Sequence, residues 1–288
     1  MARFLVSFMG SRLGRLERDA DLSVRPTGIG GHRSIDCSKS QSWPTSLSVR
    51  GPDRAIPERM TILDAGPLDN PVWGALSGPQ TGFAEVHGRA ARFAPGISPF
   101  HALADAADPA AWADLAALTG GHDPVFLPFG PDENPPGWEI GSRNQGVQLV
   151  GSAVRAEADP EAVTLTRVDV PEMLDLVART RPGPFENRTV ELGAYLGIRR
   201  DGRLIAMAGE RLRLSGHTEI SAVCTDPAFR GHGLARRLVS AVAAGIVARG
   251  ETPFLHAAIG NTNAIRLYEK MGFSVRRPVN FHQYRRLE

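Results

Sequence analysis

Cysteine and long apolar runs are scarce in this sequence. Its two cysteines, Cys37 and Cys224, lie far apart in unlike contexts, which is no disulfide framework and predicts reducing, cytoplasmic surroundings. No apolar run approaches the ~18 residues of a membrane helix, and no small-residue cleavage site follows the short apolar start at residues 1–10. No set of His, Cys and Asp residues has metal-ligand spacing. We therefore predict neither a membrane partner nor a metal.

Neither sign of charge dominates. The chain has 33 Lys and Arg residues against 31 Asp and Glu residues, a formal net charge of +2. This balance argues against a general nucleic-acid binder, which needs a basic excess to neutralise phosphates. Hydrophobic residues form 42% of the sequence, as in a globular chain with a sizeable core. The 288 residues predict one large domain or two modest ones.

Composition divides the chain into three parts. Residues 1–59 lack sustained periodicity after Arg12 and are rich in Ser, Gly, Pro and Arg, so we predict a disordered extension. One hypothesis is that this extension precedes a natural start at Met60. Residues 60–158 predict a smaller α/β module with a helix at Pro109–Leu118. A linker at Ala156–Pro160 would then lead into a second domain at 159–288.

The last part has the clearest periodicity. Strands are predicted at residues 163–167, 195–199, 204–214, 218–225, 254–258, 273–275 and 281–285, and helices at 170–179, 233–249 and 262–271. The longest helix carries Leu234, Leu238, Val242 and Ile246 along one stripe. We therefore predict the α/β class, as an α+β mixed sheet covered by helices.

A glycine-bearing turn joins an apolar strand to that longest helix. Gly231 and Gly233 have no Cβ, so nearby backbone N–H groups can approach a ligand closely. The first N–H groups of a helix lack internal partners and lie in positive potential. The turn therefore predicts a diphosphate site, with Arg230, Arg236 and Arg237 able to add charge. It is neither a Walker loop nor a dinucleotide fingerprint, and a plain capped turn explains the glycines about as well.

Two motifs give the sequence a family resemblance. The first is Arg-x-x-Gly-x-Ala at residues 230–235, preceded by Val-x-Thr-x-Pro at residues 223–227. The second is Asn-x-x-Ala-x-x-Leu-Tyr-x-x-x-Gly-Phe at residues 261–273. In this order, with a strand between them, they resemble the coenzyme A motifs of the GNAT superfamily of N-acetyltransferases, over about residues 163–288. The chain looks like a two-module bacterial member whose 60–158 part is a degenerate acetyltransferase half.

The resemblance implies acetyl-CoA as co-substrate, held in a cleft between the splayed strands Ser221–Thr225 and Phe254–Ala258. The implied coenzyme-binding positions are Val223, Thr225, Arg230, Gly231, His232, Gly233, Leu234, Ala235, Arg236 and Asn261. His232 would supply backbone only. Arg230 has the alternative of a solvated loop residue, and Asn261 that of an N-cap for its own helix.

The resemblance also implies catalytic roles. Tyr268 would protonate the departing thiolate as a general acid, with helix packing as its alternative. Glu219 is the predicted base, with an ordinary strand residue paired with a nearby arginine as the alternative. Glu210 and His217 are reserves for the base. Cys224, between apolar strand residues, is predicted to be a small core residue.

The predicted activity is direct transfer of an acetyl group to an amine of a small molecule or peptide. The alternative is a non-catalytic acyl-CoA-binding regulatory module. Residues 182–191 are expected to line the acceptor pocket, with Phe185 as a wall. The acceptor itself and the choice between monomer and homodimer stay open.

Overall fold

Strands outnumber helices in the described residues, which are 66–121 and 124–287 of this computed structural model. The helices are α1 (Pro71–Leu76), α2 (Pro109–Thr119), α3 (Val170–Thr180), α4 (Leu234–Ala248) and α5 (Thr262–Lys270). The strands are β1 (Ala84–His87), β2 (Ala90–Phe93), β3 (His101–Leu103), β4 (Val125–Pro128), β5 (Trp138–Ser142), β6 (Gln145–Val150), β7 (Val163–Leu165), β8 (Tyr195–Arg200), β9 (Arg203–Leu214), β10 (His217–Thr225), β11 (Thr252–Ala258) and β12 (Ser274–Arg286). The predictions for residues 1–59 and Met60 lie outside the described residues.

One mixed sheet contains nine of the strands. Its order is β4-β12-β6-β11-β10-β9-β8-β7, and β5 pairs with β12. β10 and β11 run parallel, and the other neighbours in this sheet are antiparallel. The remaining strands, β1, β2 and β3, form a separate three-stranded sheet. The predicted mixed-sheet α/β class is confirmed.

β6 has an unexpected place in this sheet. It belongs to the segment that we predicted as a separate module, yet it lies between β11 and β12 and pairs with both. Described residues on both sides of position 158 therefore share one sheet and one compact unit. The predicted boundary at 158/159 does not separate two folding units, and the order of elements in 66–158 does not repeat that of 159–287.

The helices cover opposite faces of the sheet because neighbouring residues of a strand point to opposite sides. On β11, Leu255 and Ala257 join the core cluster that contains the buried stripe of α4. Phe254, the residue before Leu255, points to the other face and joins the cluster that contains α1 and the small sheet. α3 packs on Tyr195 and Met207 in a third cluster. The cleft described below is therefore bordered by helices on both faces.

Two local predictions need correction. We predicted separate strands at 273–275 and 281–285, whereas β12 is one continuous strand of 13 residues. Its pairing shifts register near Arg277, and along its length its partner changes from β6 to β4 and β5. The alternation of apolar and polar residues is therefore interrupted, and the sequence indicates two strands. The predicted linker at 156–160 is attached to α4 instead, because Arg237 binds Asp159 through two hydrogen bonds.

Candidate active site

A cleft opens between β10 and β11. Their parallel pairing ends at Ile220 and Leu255, although both strands continue. Beyond that point β10 stays paired with β9 up to Thr225, and β11 stays paired with β6 up to Ala258. Beyond Ile220 and Leu255, β10 is therefore paired only with β9, and β11 only with β6. This is the splayed geometry that the resemblance implies.

The β10 side of the cleft is irregular. Ala222 has a φ of +52°, and the register with β9 shifts between Ser221 and Cys224. A non-glycine residue in this conformation costs about 1–3 kcal/mol and persists where its surroundings enforce it. Nearby, Oγ1 of Thr225 is buried without a hydrogen-bond partner among the described residues. This hydroxyl is therefore an unpartnered polar group at the end of β10.

Cys224 on the same strand is buried. Burial raises the pKa of its thiol to about 11, so the thiol stays protonated near neutral pH. This agrees with the prediction of a small core residue.

The turn between β10 and α4 presents free amides. Gly231 and Gly233 have φ values of +84° and +74°, and a Cβ at either would meet nothing within 4 Å. Glycine is thus required there by backbone conformation and not by crowding. In the described part of the chain, no acceptor binds the N–H groups of residues 231–236, and the first helical bond runs from Arg237 N to Gly233 O, at 3.1 Å.

Two side chains brace this turn from within. The Nδ1 atom of His232 lies 3.2 Å from the carbonyl oxygen of Phe229 and 3.1 Å from that of Arg230. Nε of Arg230 lies 3.4 Å from the carbonyl oxygen of Thr225. The turn therefore keeps its shape through side-chain contacts while its own amides stay unbound.

The second predicted motif forms α5. Asn261 accepts a hydrogen bond from Ala264 N at 3.3 Å. Its side chain therefore caps the helix, which is the second of the two roles given for it above. Tyr268 is 7% exposed and contacts Phe273 edge-on, with ring centroids 6.1 Å apart. Burial raises the pKa of Tyr268 to about 12. The phenol is therefore protonated throughout the physiological range, as a proton donor must be.

Glu219 lies fully buried in an ion pair. Its Oε1 and Oε2 accept hydrogen bonds from Arg211 at 2.6 and 2.8 Å, and Oε1 is also 2.7 Å from Nδ1 of His256. Burial alone would raise the pKa of Glu219, but Arg211 and His256 outweigh it and lower the pKa to about 2. This is the geometry of the alternative, a strand residue paired with an arginine. A role for Glu219 in proton transfer stays a prediction.

Gln148 extends this buried network. Its Nε2 donates to the carbonyl oxygen of Leu68 at 2.9 Å and lies 3.2 Å from Nε2 of His256. Since the amide nitrogen only donates, Nε2 of His256 must be the acceptor and its Nδ1 must carry the proton. Burial also lowers the pKa of His256, which favours this neutral tautomer.

Sequence reasoning missed His256 and Gln148. A histidine inside the apolar segment 253–258 was the available signal for the first. Arg276 and Arg277, inside β12, are part of the same network. Arg276 donates to Oε1 of Gln148 at 3.0 Å and to Asp69 at 2.7 Å, and Arg277 bonds the main chain of Asp69. The network therefore connects β10, β11 and β12 to the start of the described chain.

The other candidates for the base have partners as well. Glu210 accepts from Arg249 at 2.9 Å, and His217 lies on the hairpin with its Nδ1 3.2 Å from Ser215 O. Phe185 is buried edge-on against Tyr195, with ring centroids 5.6 Å apart. Within residues 66–121 and 124–287 no group of acidic, His or Cys side chains could hold a metal ion. Over the same residues no helix is long and apolar enough to cross a membrane.

Comparison with known proteins decides the family. Residues 195–285 match the FR47-like protein family. N-alpha-acetyltransferase RimI of Mycobacterium tuberculosis is 33% identical over 132 residues, which cover 40% of this chain and 81% of that protein. A GNAT-family acetyltransferase structure from Novosphingobium aromaticivorans is 41% identical and covers 78% of this chain and 100% of its own, with a TM-score of 0.71. The chain belongs to the GNAT superfamily of N-acetyltransferases.

GNAT architecture extends to more distant structures. A GCN5-related N-acetyltransferase from Kribbella flavida is only 17% identical, yet it covers 74% of this chain and 92% of its own, with a TM-score of 0.52. That similarity shows the fold alone. In this GNAT enzyme, all predicted coenzyme and catalytic residues fall inside the matched range 195–285. They lie on β10, on the turn between β10 and α4, in the first turn of α4, or at the start of α5 and within it.

Proposed function

We propose that this GNAT N-acetyltransferase acts in the cytoplasm and transfers the acetyl group of acetyl-CoA directly to an amine of a small molecule or peptide. The observation that carries the proposal is the parting of β10 and β11 after Ile220 and Leu255. At the end of the same β10 strand, the N–H groups of residues 231–236 have no acceptor in the described structure. The unpaired edges of β10 and β11 would suit an extended chain, and the unbonded N–H groups of residues 231–236 would suit a diphosphate at its end.

The coenzyme-binding residues fit that ligand by their chemistry. The amides of residues 231–236, which have no acceptor in the described structure, lie at the positive end of α4, where a diphosphate is favoured. The unpartnered hydroxyl of Thr225 and the strand backbone at Val223 supply polar contacts along the cleft. Bound acetyl-CoA supplies an activated thioester, so the protein needs no nucleophile of its own. These assignments rest on the geometry and on the motif match together.

Two side chains would handle protons. Tyr268, protonated because its pKa is about 12, would donate to the leaving sulfur. Glu219 remains the predicted acceptor of the amine proton, but both its oxygens are bound. Both ring nitrogens of its neighbour His256 are bound as well, so proton transfer to Glu219 would require this network to open. An amine that arrives unprotonated needs no base at the moment of attack.

Release of free thiol from acetyl-CoA tests the activity. We would supply amino acids, polyamines, aminoglycosides and peptides in parallel, and place peptide α-amines first because the curated relative is named an N-alpha-acetyltransferase. We expect steady turnover with at least one of these amine classes. A variant with valine at Gly233, which should not bind the coenzyme, is the control for uncatalysed hydrolysis.

The alternative function, a non-catalytic acyl-CoA-binding module, gives a different result. Such a protein would bind acetyl-CoA tightly in calorimetry and release no thiol with any amine of the panel. Failure to bind acetyl-CoA at all would overturn both functions. Calorimetry and the thiol assay on the same preparation therefore separate the three cases.

A further inference from the structure

Three rings meet beside β11, just beyond the apex of the cleft. The ring centroids of Phe129 and Phe281 lie 5.2 and 5.5 Å from that of His256, and 5.8 Å from each other. Both phenylalanines are half-buried, whereas the imidazole side chain is 4% exposed. We call these three residues the aromatic corner. The side that it turns to solvent is apolar, because the two phenyl rings form it.

The aromatic corner lies on the face of the sheet opposite α4. His256 is the first residue of β11 after the pairing with β10 ends at Leu255. Leu255 and Ala257 belong to the core cluster of α4, while Phe129 packs against the cluster that contains α1. Because α4 fills its own face at this level, we expect an acceptor to approach the parted strands on the side of the corner.

The ring of Phe281 lies flush against the sheet because the strand beneath it has no side chain there. Gly146 of β6 pairs with Ala258, the last residue of β11, and a Cβ at Gly146 would lie 2.9 Å from the Phe281 ring. Glycine therefore leaves room for close approach of the ring. Phenyl surface thus covers β6 beside the unpaired part of β11.

Phe129 is held in an unusual backbone conformation. Its φ is +67°, a left-handed value that bulky residues rarely adopt and that is concentrated at functional sites. Its N–H donates to Asn280 O at 2.7 Å, and Oδ1 of Asp132, three residues later, lies 2.9 Å from Nε2 of His282. These contacts attach the loop to β12. The loop therefore presents the Phe129 ring to His256 in spite of backbone strain.

The side chains of the aromatic corner offer a ligand no free polar atom. Both ring nitrogens of His256 are already bound, one to Glu219 and one to Gln148, and Arg211 balances the charge of Glu219. The two phenyl rings have no hydrogen-bonding atoms. What remains is apolar ring surface, which favours a neutral apolar group, above all another ring.

We propose that the aromatic corner binds a bulky apolar side chain next to the amine of the acceptor, and that Phe129 determines this preference. The proposal rests on the proposed function, since it needs an acceptor amine at the parted strands. The acceptors selected are amines with a phenyl or comparable hydrocarbon group about two carbons from nitrogen. Phe129 lies outside the matched range 195–285, so the N-terminal part of the described chain supplies the selectivity.

Acetyl transfer to two pairs of amines tests the proposal. The pairs are 2-phenylethylamine with ethylamine, and the peptide Phe-Gly-Gly with Ala-Gly-Gly, so that the members of each pair differ by one phenyl group. In the full chain, kcat/KM should be higher for the phenyl-bearing member by roughly tenfold or more, the scale of burying part of a phenyl ring. Comparing this ratio between the chain and its variants cancels any difference in amine basicity.

Phe129→Asn removes the ring and keeps the backbone, because asparagine tolerates a left-handed φ. It should lower the ratio within each pair by roughly tenfold and leave the KM for acetyl-CoA unchanged. Phe129→Tyr is the matched control, because it keeps the ring and should retain the ratio. Thermal unfolding of both variants checks that the fold is retained.

An unchanged ratio in Phe129→Asn would overturn the proposal, since the ring would then serve packing alone. Equal losses of kcat/KM for both members of a pair would also refute it, because Phe129 would act on the whole site or on the fold. Turnover of other amines, without turnover of or preference for the phenyl-bearing acceptors, would contradict the acceptor class and leave the proposed function standing. If acetyl-CoA does not bind and no amine is acetylated, the proposed function fails as well.

Discussion

The Nδ1 atom of His256 lies 2.7 Å from Oε1 of Glu219, and this contact links β10 to β11 at the point where the strands part. His256 follows the last paired residue of β11, Leu255, and Glu219 precedes the last paired residue of β10, Ile220. Arg211 holds the other side of the same carboxylate. A buried ionic network therefore joins the two strands at the apex of the cleft, in addition to their backbone pairing.

Replacing Glu219 with glutamine should destabilise the fold strongly. The change leaves the guanidinium of Arg211 buried without its counter-ion, which costs about 3–5 kcal/mol of unfolding free energy. Urea denaturation at pH 7 measures this loss. The double variant Glu219→Leu with Arg211→Met removes both charges and should recover most of it. Full stability in Glu219→Gln would show that the pair does not hold the apex.

The same pair predicts the acid sensitivity of the protein. The pKa of Glu219 falls from 4.5 to about 2 on folding, so its stabilising effect is present above about pH 4.5 and is lost as the pH falls towards 2. Stability measured between these values should decline less steeply in Glu219→Gln than in the unmodified chain. Other paired carboxylates titrate in both proteins, so the difference between the two curves isolates Glu219. Parallel curves would contradict this prediction.

Tyr268→Phe tests the general acid. It keeps the ring against Phe273 and removes only the hydroxyl, so affinity for acetyl-CoA should change little. Turnover should fall by about 100- to 10,000-fold, the usual effect of losing an acid–base group. Tyr284→Phe is the control, because it removes a buried hydroxyl that bonds Pro131 O, away from the cleft. An unchanged rate in Tyr268→Phe would take Tyr268 out of the mechanism.

Gly233→Val tests the coenzyme turn. The left-handed φ of +74° disfavours valine by roughly 1–2 kcal/mol, but the open space around the Cβ should let the fold survive. We expect the amides to lose their convergence, and affinity for acetyl-CoA to fall by more than about tenfold. Gly216→Val carries the same φ penalty at the β9–β10 hairpin, with a φ of +70°, and should leave binding intact. Unchanged affinity at Gly233 would refute the turn as a diphosphate site.

Gly272→Ala tests the contact that holds the 153–157 segment. Its Cβ would lie 2.4 Å from Ala153 O, so the segment must move. Gly250→Ala shares the left-handed backbone, with a φ of +76°, but its Cβ meets nothing within 4 Å. We expect the free energy of unfolding, measured by thermal denaturation, to be lower in Gly272→Ala than in Gly250→Ala by roughly 1–3 kcal/mol, as for other crowded substitutions. Equal losses of stability in the two variants would mean that the 153–157 segment moves away at no energetic cost.

The sequence predicted what is local in this structure. The turn at residues 230–236, the stripe of α4 and the cap at Asn261 depend on neighbours within a few residues, so periodicity and capping rules located them. The turn between β8 and β9 is equally local, with positive φ at Asp201 and Gly202.

What the sequence could not show depends on distant partners. Gln148 and His256 are 108 residues apart, and nothing local in β6 indicates that it lies between β11 and β12. The same holds for the pairing of Arg276 with Asp69 across 207 residues. A lone glutamine or arginine carries no local signal for a buried partner. The mistaken module boundary and the missed network both follow from this.

The place of β6 also has a consequence for how the chain is made. Both neighbours of this strand leave the ribosome about a hundred residues after it, since Val150 pairs with Phe254 and Ser274. Until then the strand has both edges unsatisfied, and such edges invite pairing with other chains. The strand therefore stays unpaired while about a hundred further residues are synthesised, and this topology favours slow or chaperone-dependent maturation.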